Sequence, residues 1–240
     1  MHLDWSCRLL ENNEKVRIVI ASPHLRHDAL VDSLANNLGV EILRIRERES
    51  LELLRLSQYH PRYIFFPHWS WIIPEKIYQN FECVIFHMTD LPYGRGGSPL
   101  QNLIVRGYKE TKLSAIRCVK TLDAGPIYMK RLLSLSGTAE EVLLRAAKVT
   151  EEMIECIILE QPIPVEQTGE PTEFRRRLQK DGDLAGLAEL EKIYDFIRML
   201  DADGYPPAFI ENDYFKFEFS CATFNAEDIV AKVKISRRIS

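Results

Sequence analysis

One histidine, His87, stands where an apolar run of the sequence gives way to a loop rich in glycine and proline. A second loop, with the tight-turn sequence Asp-Ala-Gly-Pro, begins at Asp123. An imidazole gains or loses its charge near neutral pH, and a carboxylate beside it fixes its tautomer. These two side chains therefore predict a proton-transfer site that works by general acid–base catalysis.

Both residues also have a purely structural interpretation. A histidine that ends a strand is often a satisfied structural group, and Asp with Gly is a common turn former. Gly94, Gly96 and Gly97 allow either a close approach of the backbone to a ligand or a turn with positive φ. The sequence leaves these alternatives open, because it does not give the distance between His87 and Asp123.

The elements that must position these residues alternate between strands and helices. Apolar runs predict strands at 16–21, 40–45, 63–67, 83–87, 114–119 and 127–133, with helical spacing at 28–38, 51–56, 74–81 and after Ser98-Pro99. This alternation predicts an α/β class: a Rossmann-like, mostly parallel sheet with flanking helices. Ligands of such sheets bind beyond the carboxyl ends of the strands, where His87 falls.

The remainder of the chain predicts a long helix and a small β structure. Thr138 and Glu141 form a capping box that opens a helix to about residue 159, and a further helix is expected at 187–200. Residues 161–183, rich in Pro and Gly, are expected to form a surface excursion. Strands at 214–219 and 229–235 predict a β-hairpin. We therefore expect a catalytic domain at 1–207 and a C-terminal β appendage at 208–240.

Composition and charge limit the classes of function. The chain has 240 residues, 46% of them hydrophobic, and a formal net charge of −4, which predicts no attraction for nucleic acid or an anionic membrane. No apolar run approaches the roughly 20 residues of a membrane span. Residues 1–8 lack the pattern of a signal peptide, so we expect a cytoplasmic protein.

Several other kinds of site are disfavoured by residue spacing. The five cysteines include no Cys-x-x-Cys pair and are expected to be reduced thiols: Cys7, Cys83, Cys118, Cys156 and Cys221. The spacing of His24, His27, His60 and His68 predicts no metal site and suggests surface or loop histidines. A Gly-x-Gly-x-x-Gly motif is missing after the first strand, which argues against a nicotinamide dinucleotide site.

The two loops together resemble a known family. Residues 87–99 follow the pattern His-x-(Ser/Thr)-x-Leu-Pro-x-x-Arg-Gly-x-x-Pro, and residues 122–126 read Leu-Asp-x-Gly-Pro. This combination resembles the formyltransferases that use 10-formyltetrahydrofolate. Supporting matches lie at 72–74, 138–159, 174–177, 193–198 and 205–209, so the resemblance covers roughly residues 16–210.

The resemblance implies roles for particular residues. His87 and Asp123 are implied as the catalytic pair, in which one imidazole takes the proton of the attacking amine and protonates the departing folate nitrogen. Folate contacts are implied for Thr89, Asp90, Leu91, Pro92 and Leu122. Contacts with the acceptor substrate are implied for Arg95, Gly96, Gly97, Arg198 and Tyr205, and no metal is implied.

One position departs from the family pattern. The family carries Asn two residues before the histidine, and this chain carries Ile85. The Asn amide helps to hold the formyl oxygen, and an apolar side chain cannot donate that hydrogen bond. Either another group replaces the amide, or His87 as imidazolium takes over more of its role, or the protein is not a fast enzyme.

The short C-terminal segment and the net charge direct the choice of acceptor. About thirty residues follow Phe209, fewer than the tRNA-modifying branch carries, and so the resemblance favours the nucleotide-sugar N-formyltransferases, with a UDP-linked amino sugar of the pseudaminic-acid type. A homodimer formed through the C-terminal half is expected, without nucleic-acid or membrane partners. A non-catalytic folate- or nucleotide-sugar-binding module and a 10-formyltetrahydrofolate hydrolase remain as alternatives.

Overall fold

The computed structural model describes residues 15–225 and 227–238. The expectation about residues 1–8, the thiol of Cys7 and the last two residues of the predicted appendage lie outside these ranges. Cys83, Cys118, Cys156 and Cys221 are all free thiols. Within the described ranges, no helix is both long enough and apolar enough to cross a bilayer.

Eleven strands and six α-helices make up the described part of the chain. In chain order they are β1 Arg17–Ala21, α1 Asp28–Leu38, β2 Glu41–Ile45, α2 Leu53–Tyr59, β3 Tyr63–Phe66, α3 Glu75–Tyr78, β4 Cys83–His87, β5 Arg95–Gly96, α4 Pro99–Ile104, β6 Glu110–Arg117, β7 Ile127–Ser134, α5 Ala139–Glu160, β8 Glu173–Phe174, α6 Leu190–Arg198, β9 Ala208–Glu211, β10 Phe215–Asn225 and β11 Asp228–Arg237.

A six-stranded sheet in the order β2-β1-β3-β4-β6-β7 forms the centre of the molecule. The first four of these strands are parallel, and β6 and β7 add to the sheet in antiparallel fashion. The prediction of an α/β fold with a mostly parallel sheet is confirmed. The parallel strands end together at the edge that carries His87, which gives the chain a crevice there.

Continuous apolar runs form the parallel strands because helices cover both faces of the sheet. On one face Ile18, Ile20 and Phe65 pack with α1 and with Met153 and Ile157 of α5. On the other face Val19, Ile64 and Phe66 pack against Leu56 and Ile77. The predicted capping box is present: Thr138 Oγ1 accepts from the Glu141 N–H, and Glu141 accepts from the Thr138 N–H.

Two predicted features differ in the structure. Ser98 does not cap α4 through its side chain; it lies in the left-handed region, and its hydroxyl accepts from the N–H of Arg177. The segment expected as a surface excursion is largely exposed, as predicted, but it also contributes β8, which pairs in parallel with β5. A pairing of two residues leaves no periodic signal in the sequence, so it could not be predicted locally.

The C-terminal segment forms a three-stranded antiparallel sheet in the order β11-β10-β9, rather than a hairpin. It packs on α6 through an apolar cluster that includes Leu184, Ile197, Ala208 and Ala222. The additional strand, β9, is explained by this cluster, since it contains the fully buried Ala208. The domain boundary at residue 207 and the predicted homodimer stay predictions.

Candidate active site

A cavity of about 610 Å³ opens at the carboxyl ends of β1, β3 and β4. Six of the residues predicted for the site line it: His87, Gly96, Gly97, Leu122, Asp123 and Tyr205. Its size and its position relative to the sheet are those of a small-molecule site in an α/β protein. The cavity therefore brings the two predicted catalytic side chains to one place.

The imidazole of His87 is buried, with 7% of its surface exposed, and is held by two acceptors. Its Nε2 lies 2.8 Å from the carbonyl oxygen of Gly94. Because a carbonyl oxygen only accepts, Nε2 carries the hydrogen, and Nδ1 is the basic nitrogen of the neutral ring. Nδ1 faces Oδ2 of Asp123 at 3.5 Å. A proton gained at Nδ1 is therefore stabilised by the carboxylate.

Asp123 is held in its orientation by the loop that follows His87. Its Oδ2 accepts from the backbone N–H of Gly96 at 2.9 Å, and its side chain is 8% exposed. Asp123 itself has φ of 51°, in the left-handed region that Asp tolerates better than most residues. Asp123 therefore forms the tight turn and also places its carboxylate beside the imidazole. Its structural and its catalytic interpretation are compatible.

The Asp123 turn is fixed by a side chain that the sequence does not single out. Gln167 donates through Nε2 to the carbonyl oxygens of Asp123 at 2.8 Å and Gly125 at 2.9 Å. Its Oε1 accepts from Nη2 of Arg95 at 2.7 Å. Arg95, predicted to contact the acceptor, instead holds Gln167 and does not line the cavity.

The glycines after His87 are required by the neighbouring chain segment. A Cβ on Gly96, which has φ of 101°, would lie 2.5 Å from the carbonyl oxygen of Phe174, and one on Gly97 would lie 2.7 Å from Cα of Arg176. Contacts this short do not occur, so only glycine permits β5 to pair with β8. These glycines therefore allow the backbone of residues 96–97 to lie close to the backbone of residues 174–176.

Four of the five predicted folate-contact residues stabilise the loop after His87 and do not line the cavity. Thr89 is fully buried, and its carbonyl oxygen accepts from the Ser114 hydroxyl. Asp90 forms ion pairs with Lys112 and Lys130, which oppose the effect of burial and lower the pKa of its carboxyl group. Leu91 is buried in the core, and Pro92 accepts from the N–H of Thr172. None of these four side chains lines the cavity.

Of three other predicted residues, two line the cavity and one does not. Leu122, with 57% of its surface exposed, lies at the cavity wall, and Tyr205 lines it as well. Arg198 is buried outside the lining, where it pairs with Asp195 at 2.6 Å and donates to two backbone carbonyls. We therefore leave Arg198 out of the site, because its guanidinium is committed to the fold.

Three of the histidines expected at the surface or in loops line the cavity, and two of them, His24 and His68, do lie in loops. His24 and His68 stack with ring centroids 4.2 Å apart, and both line the cavity with the buried His27. Burial lowers the pKa of His27 to about 3 and that of His68 to about 3, and the neighbouring His24 adds to both effects. A pKa lowered this far favours the neutral form of His27 and of His68 near pH 7, and residue spacing alone does not predict it.

The cavity wall beside His87 is apolar at Ile85, where the resemblance implies an amide. Ile85 lines the cavity, and its side chain shares a face of β4 with His87, since the two residues are two apart. Trp69 and Trp71 line the same cavity from the loop after β3. A flat, partly apolar ligand fits this wall, as the ring system of a folate would.

Comparisons with known proteins agree on the kind of chemistry. A model of the methionyl-tRNA formyltransferase C-terminal domain matches residues 179–236. The methionyl-tRNA formyltransferase of Wolinella succinogenes is 28% identical over 144 residues, which cover 58% of this chain and 47% of that protein. The chain spans about half the length of the curated relatives it matches.

Among solved structures, a methionyl-tRNA formyltransferase from Clostridium thermocellum is 44% identical and superposes with a TM-score of 0.90, covering 93% of this chain and 100% of that one. HypX from Aquifex aeolicus, solved with tetrahydrofolic acid, is 17% identical, with a TM-score of 0.71 over 87% of this chain and 38% of HypX. That second likeness establishes the shared fold.

These matches contradict the predicted acceptor. A sugar N-formyltransferase from Shewanella is only 12% identical, with a TM-score of 0.63, whereas the 44% identical structure is a methionyl-tRNA formyltransferase. The predictions of a UDP-linked or other nucleotide-linked amino sugar and of no nucleic-acid partner are therefore wrong. Both predictions depend on the net charge and on the short C-terminal segment, and a net charge does not report where the basic side chains lie.

Proposed function

The chain belongs to the methionyl-tRNA formyltransferase family, and from that premise we propose that it transfers a formyl group from 10-formyltetrahydrofolate to the amino group of a methionyl-tRNA. The observation that carries the proposal is the buried His87–Asp123 pair at the wall of a cavity of about 610 Å³. The predicted donor, 10-formyltetrahydrofolate, is the formyl donor of this family.

Bound in the cavity, the donor supplies a formyl carbon that an amine can attack. The amine nitrogen forms its new bond to this carbon as the bond from the carbon to the folate N10 breaks. His87 takes the amine proton at Nδ1 and returns a proton to N10, so that the enzyme ends the cycle unchanged. Asp123 stabilises the imidazolium between the two transfers, and the Gly94 carbonyl keeps Nε2 protonated throughout.

The acceptor end of the cavity offers positive charge for a phosphate. Within the run of arginines at 175–177, Arg175 pairs with Asp181, and Arg177 donates to the Asp181 carbonyl oxygen. Arg176 lines the cavity, is exposed, and has its backbone against Gly97. A guanidinium placed there suits a phosphodiester at the end of an acceptor strand.

The test is a formyl-transfer assay with the purified full-length chain, 10-formyltetrahydrofolate and methionyl-tRNA. Alkaline hydrolysis of the ester followed by mass spectrometry is expected to show formylmethionine. Free methionine and uncharged tRNA are the acceptor controls, and His87→Asn, which lacks the basic nitrogen in its place, is expected to lose about 10²-fold or more in rate.

Two results would count against this proposal. Consumption of the donor at the same rate without methionyl-tRNA would identify water as the acceptor and the protein as a hydrolase. No consumption under any condition, together with measurable folate binding, would identify a non-catalytic binding protein.

A further inference from the structure

The apolar Ile85 leaves the wall beside His87 without the amide that holds a formyl oxygen in related proteins. Losing one donor to a developing oxyanion costs about 10²–10³ in rate. A site that retains His87, Asp123 and their supports is expected to contain a replacement. The replacement has to be a hydrogen-bond donor that lines the same cavity and that is not occupied by another protein group.

Trp69 meets these conditions. Its indole Nε1–H is buried and has no hydrogen-bond partner among residues 15–225 and 227–238. An indole nitrogen can only donate, and a buried donor without an acceptor costs about 1–3 kcal/mol, so an acceptor atom on a bound ligand would remove that cost. The side chain lines the cavity together with Ile85 and His87.

The sheet places Trp69 next to the position of the lost amide. Phe66 on β3 is the register partner of Ile85 on β4, so the two side chains share one face of the sheet. The indole of Trp69 packs edge-on against Phe66, with ring centroids 5.6 Å apart. Trp69 and Ile85 also belong to the same apolar cluster.

The other buried donors without partners fit less well. Arg26 does not line the cavity, and its Nη2 pairs with Glu140. The ring nitrogens of His24 and His68 lack partners within the described ranges, but burial favours their neutral forms, in which one nitrogen is an acceptor. Arg44, whose Nε also lacks a partner within these ranges, does not line the cavity either. Of the groups unpaired there that do line it, which are His24, His68 and Trp69, only the Trp69 indole donates whatever its protonation state.

We propose that the indole N–H of Trp69 takes the place of the missing amide and donates a hydrogen bond to the formyl oxygen, which makes Trp69 a catalytic residue of this chain. The proposal rests on the proposed function only in taking a 10-formyl folate as the ligand. It does not depend on which amine is the acceptor. Ile85 then completes an apolar support for the indole instead of acting as a donor.

The kinetic test compares Trp69→Phe, Ile85→Asn and the double variant in single-turnover formyl transfer. Trp69→Phe keeps a ring of similar shape and removes the donor, so its rate is expected to fall by about 10²-fold. Ile85→Asn alone is expected to give little gain. In the Trp69→Phe background the same change is expected to restore at least about 10-fold, because the amide becomes the donor again.

Trp71→Phe is the matched control, since Trp71 is in edge contact with Trp69 and sits on the same loop. It is expected to lower the rate far less than Trp69→Phe. A Trp69→Phe protein that is folded and transfers formyl at the wild-type rate would overturn the proposal. Equal losses of rate in the two variants would also overturn it, because they would show that the loop only shapes the cavity.

A second measurement is independent of turnover. In the 15N-labelled protein, which has three tryptophans, the indole resonance missing from Trp69→Phe is assigned to Trp69. It is expected to move downfield with 10-formyl-5,8-dideazafolate and not with 5,8-dideazafolate. Identical shifts with both ligands would overturn the proposal. A formyl-specific shift in a protein that does not formylate methionyl-tRNA would support Trp69 and reject the proposed acceptor.

Discussion

Nδ1 of His87 lies 3.5 Å from Oδ2 of Asp123, and that same carboxylate oxygen accepts from the N–H of Gly96. The loop that follows the histidine thus holds the carboxylate that acts on the histidine. The hydrogen bond from Gly96 to Asp123 joins residues that are 27 positions apart in the chain. It explains why the two sequence motifs occur together, since each loop fixes the other.

Replacing Asp123 by Asn is expected to lower kcat by about 10²-fold or more with little effect on folate binding. The amide can keep the Gly96 contact only with its oxygen in the place of Oδ2, and this neutral oxygen then faces Nδ1. The imidazolium therefore loses its counter-charge. Single-turnover rates and tetrahydrofolate titrations measure the two effects.

Asp32→Asn, which changes an exposed carboxylate on α1, is the control and is expected to retain the wild-type rate. If Asp123→Asn weakened folate binding as much as it slowed transfer, Asp123 would act in binding and not on the imidazole.

The positions of His87 and Asp123 could be predicted because local patterns determine them. The apolar runs of β1, β3 and β4 are long enough to identify buried parallel strands, and the topology then places the end of β4 at the crevice. The residue types of the two loops predict that Asp123 acts with His87, but they do not give the distance between them. The structure supplies the distance, which depends on how β6 packs against β4.

The supporting residues could not be predicted, since their roles depend on contacts across long stretches of chain. Gln167 has no local signal, yet it reaches back 44 residues to Asp123. Arg198 matches a family motif, which predicts a contact with the acceptor, but its guanidinium is bound by Asp195 and by backbone carbonyls 61 and 63 residues away. Trp69 and the stacked histidines belong to loops, where periodicity gives no information on burial.

Gln167→Glu tests whether the Asp123 turn needs its clamp. The carboxylate keeps the size of the side chain and can still pair with Arg95, but it cannot donate to the carbonyl oxygens of Asp123 and Gly125. We expect kcat to fall by about 10-fold, equivalent to about 1.4 kcal/mol, with a smaller change in KM.

The control for this variant is Gln58→Glu, at an exposed position on α2, which is expected to leave both constants unchanged. A normal kcat in folded Gln167→Glu would show that the turn holds Asp123 in place without Gln167.

Gly125→Ala is expected to destabilise the fold at the same turn. A Cβ at this position would lie 1.8 Å from the carbonyl oxygen of Arg117, a backbone atom that cannot move without disturbing β6. We expect the free energy of unfolding to fall by about 1–3 kcal/mol, as judged by urea denaturation. Gly186→Ala, where no atom lies within 4 Å of the added Cβ, is expected to stay within about 0.5 kcal/mol of wild type. A neutral Gly125→Ala would mean that the turn adapts to a side chain.

The buried histidines predict how stability depends on pH. Burial, with the nearby His24, lowers the pKa of His27 and of His68 from 6.5 to about 3. Below pH 6.5 the unfolded chain therefore binds protons that the folded protein does not bind. Stability is present in full above this value and is lost as the pH falls from about 6.5 toward 3, by up to about 1.4 kcal/mol per pH unit for each histidine.

Urea denaturation at about pH 7, 6 and 5 measures this slope. His27→Asn, which retains a polar group near the Ser22 hydroxyl, is expected to reduce the slope by the share of one histidine, whatever its stability near pH 7. The control is His60→Asn, at an exposed left-handed residue that Asn accommodates, and it is expected to keep the wild-type slope. The same slope in His27→Asn and wild type would show that His27 binds its proton in the folded protein as readily as in the unfolded chain.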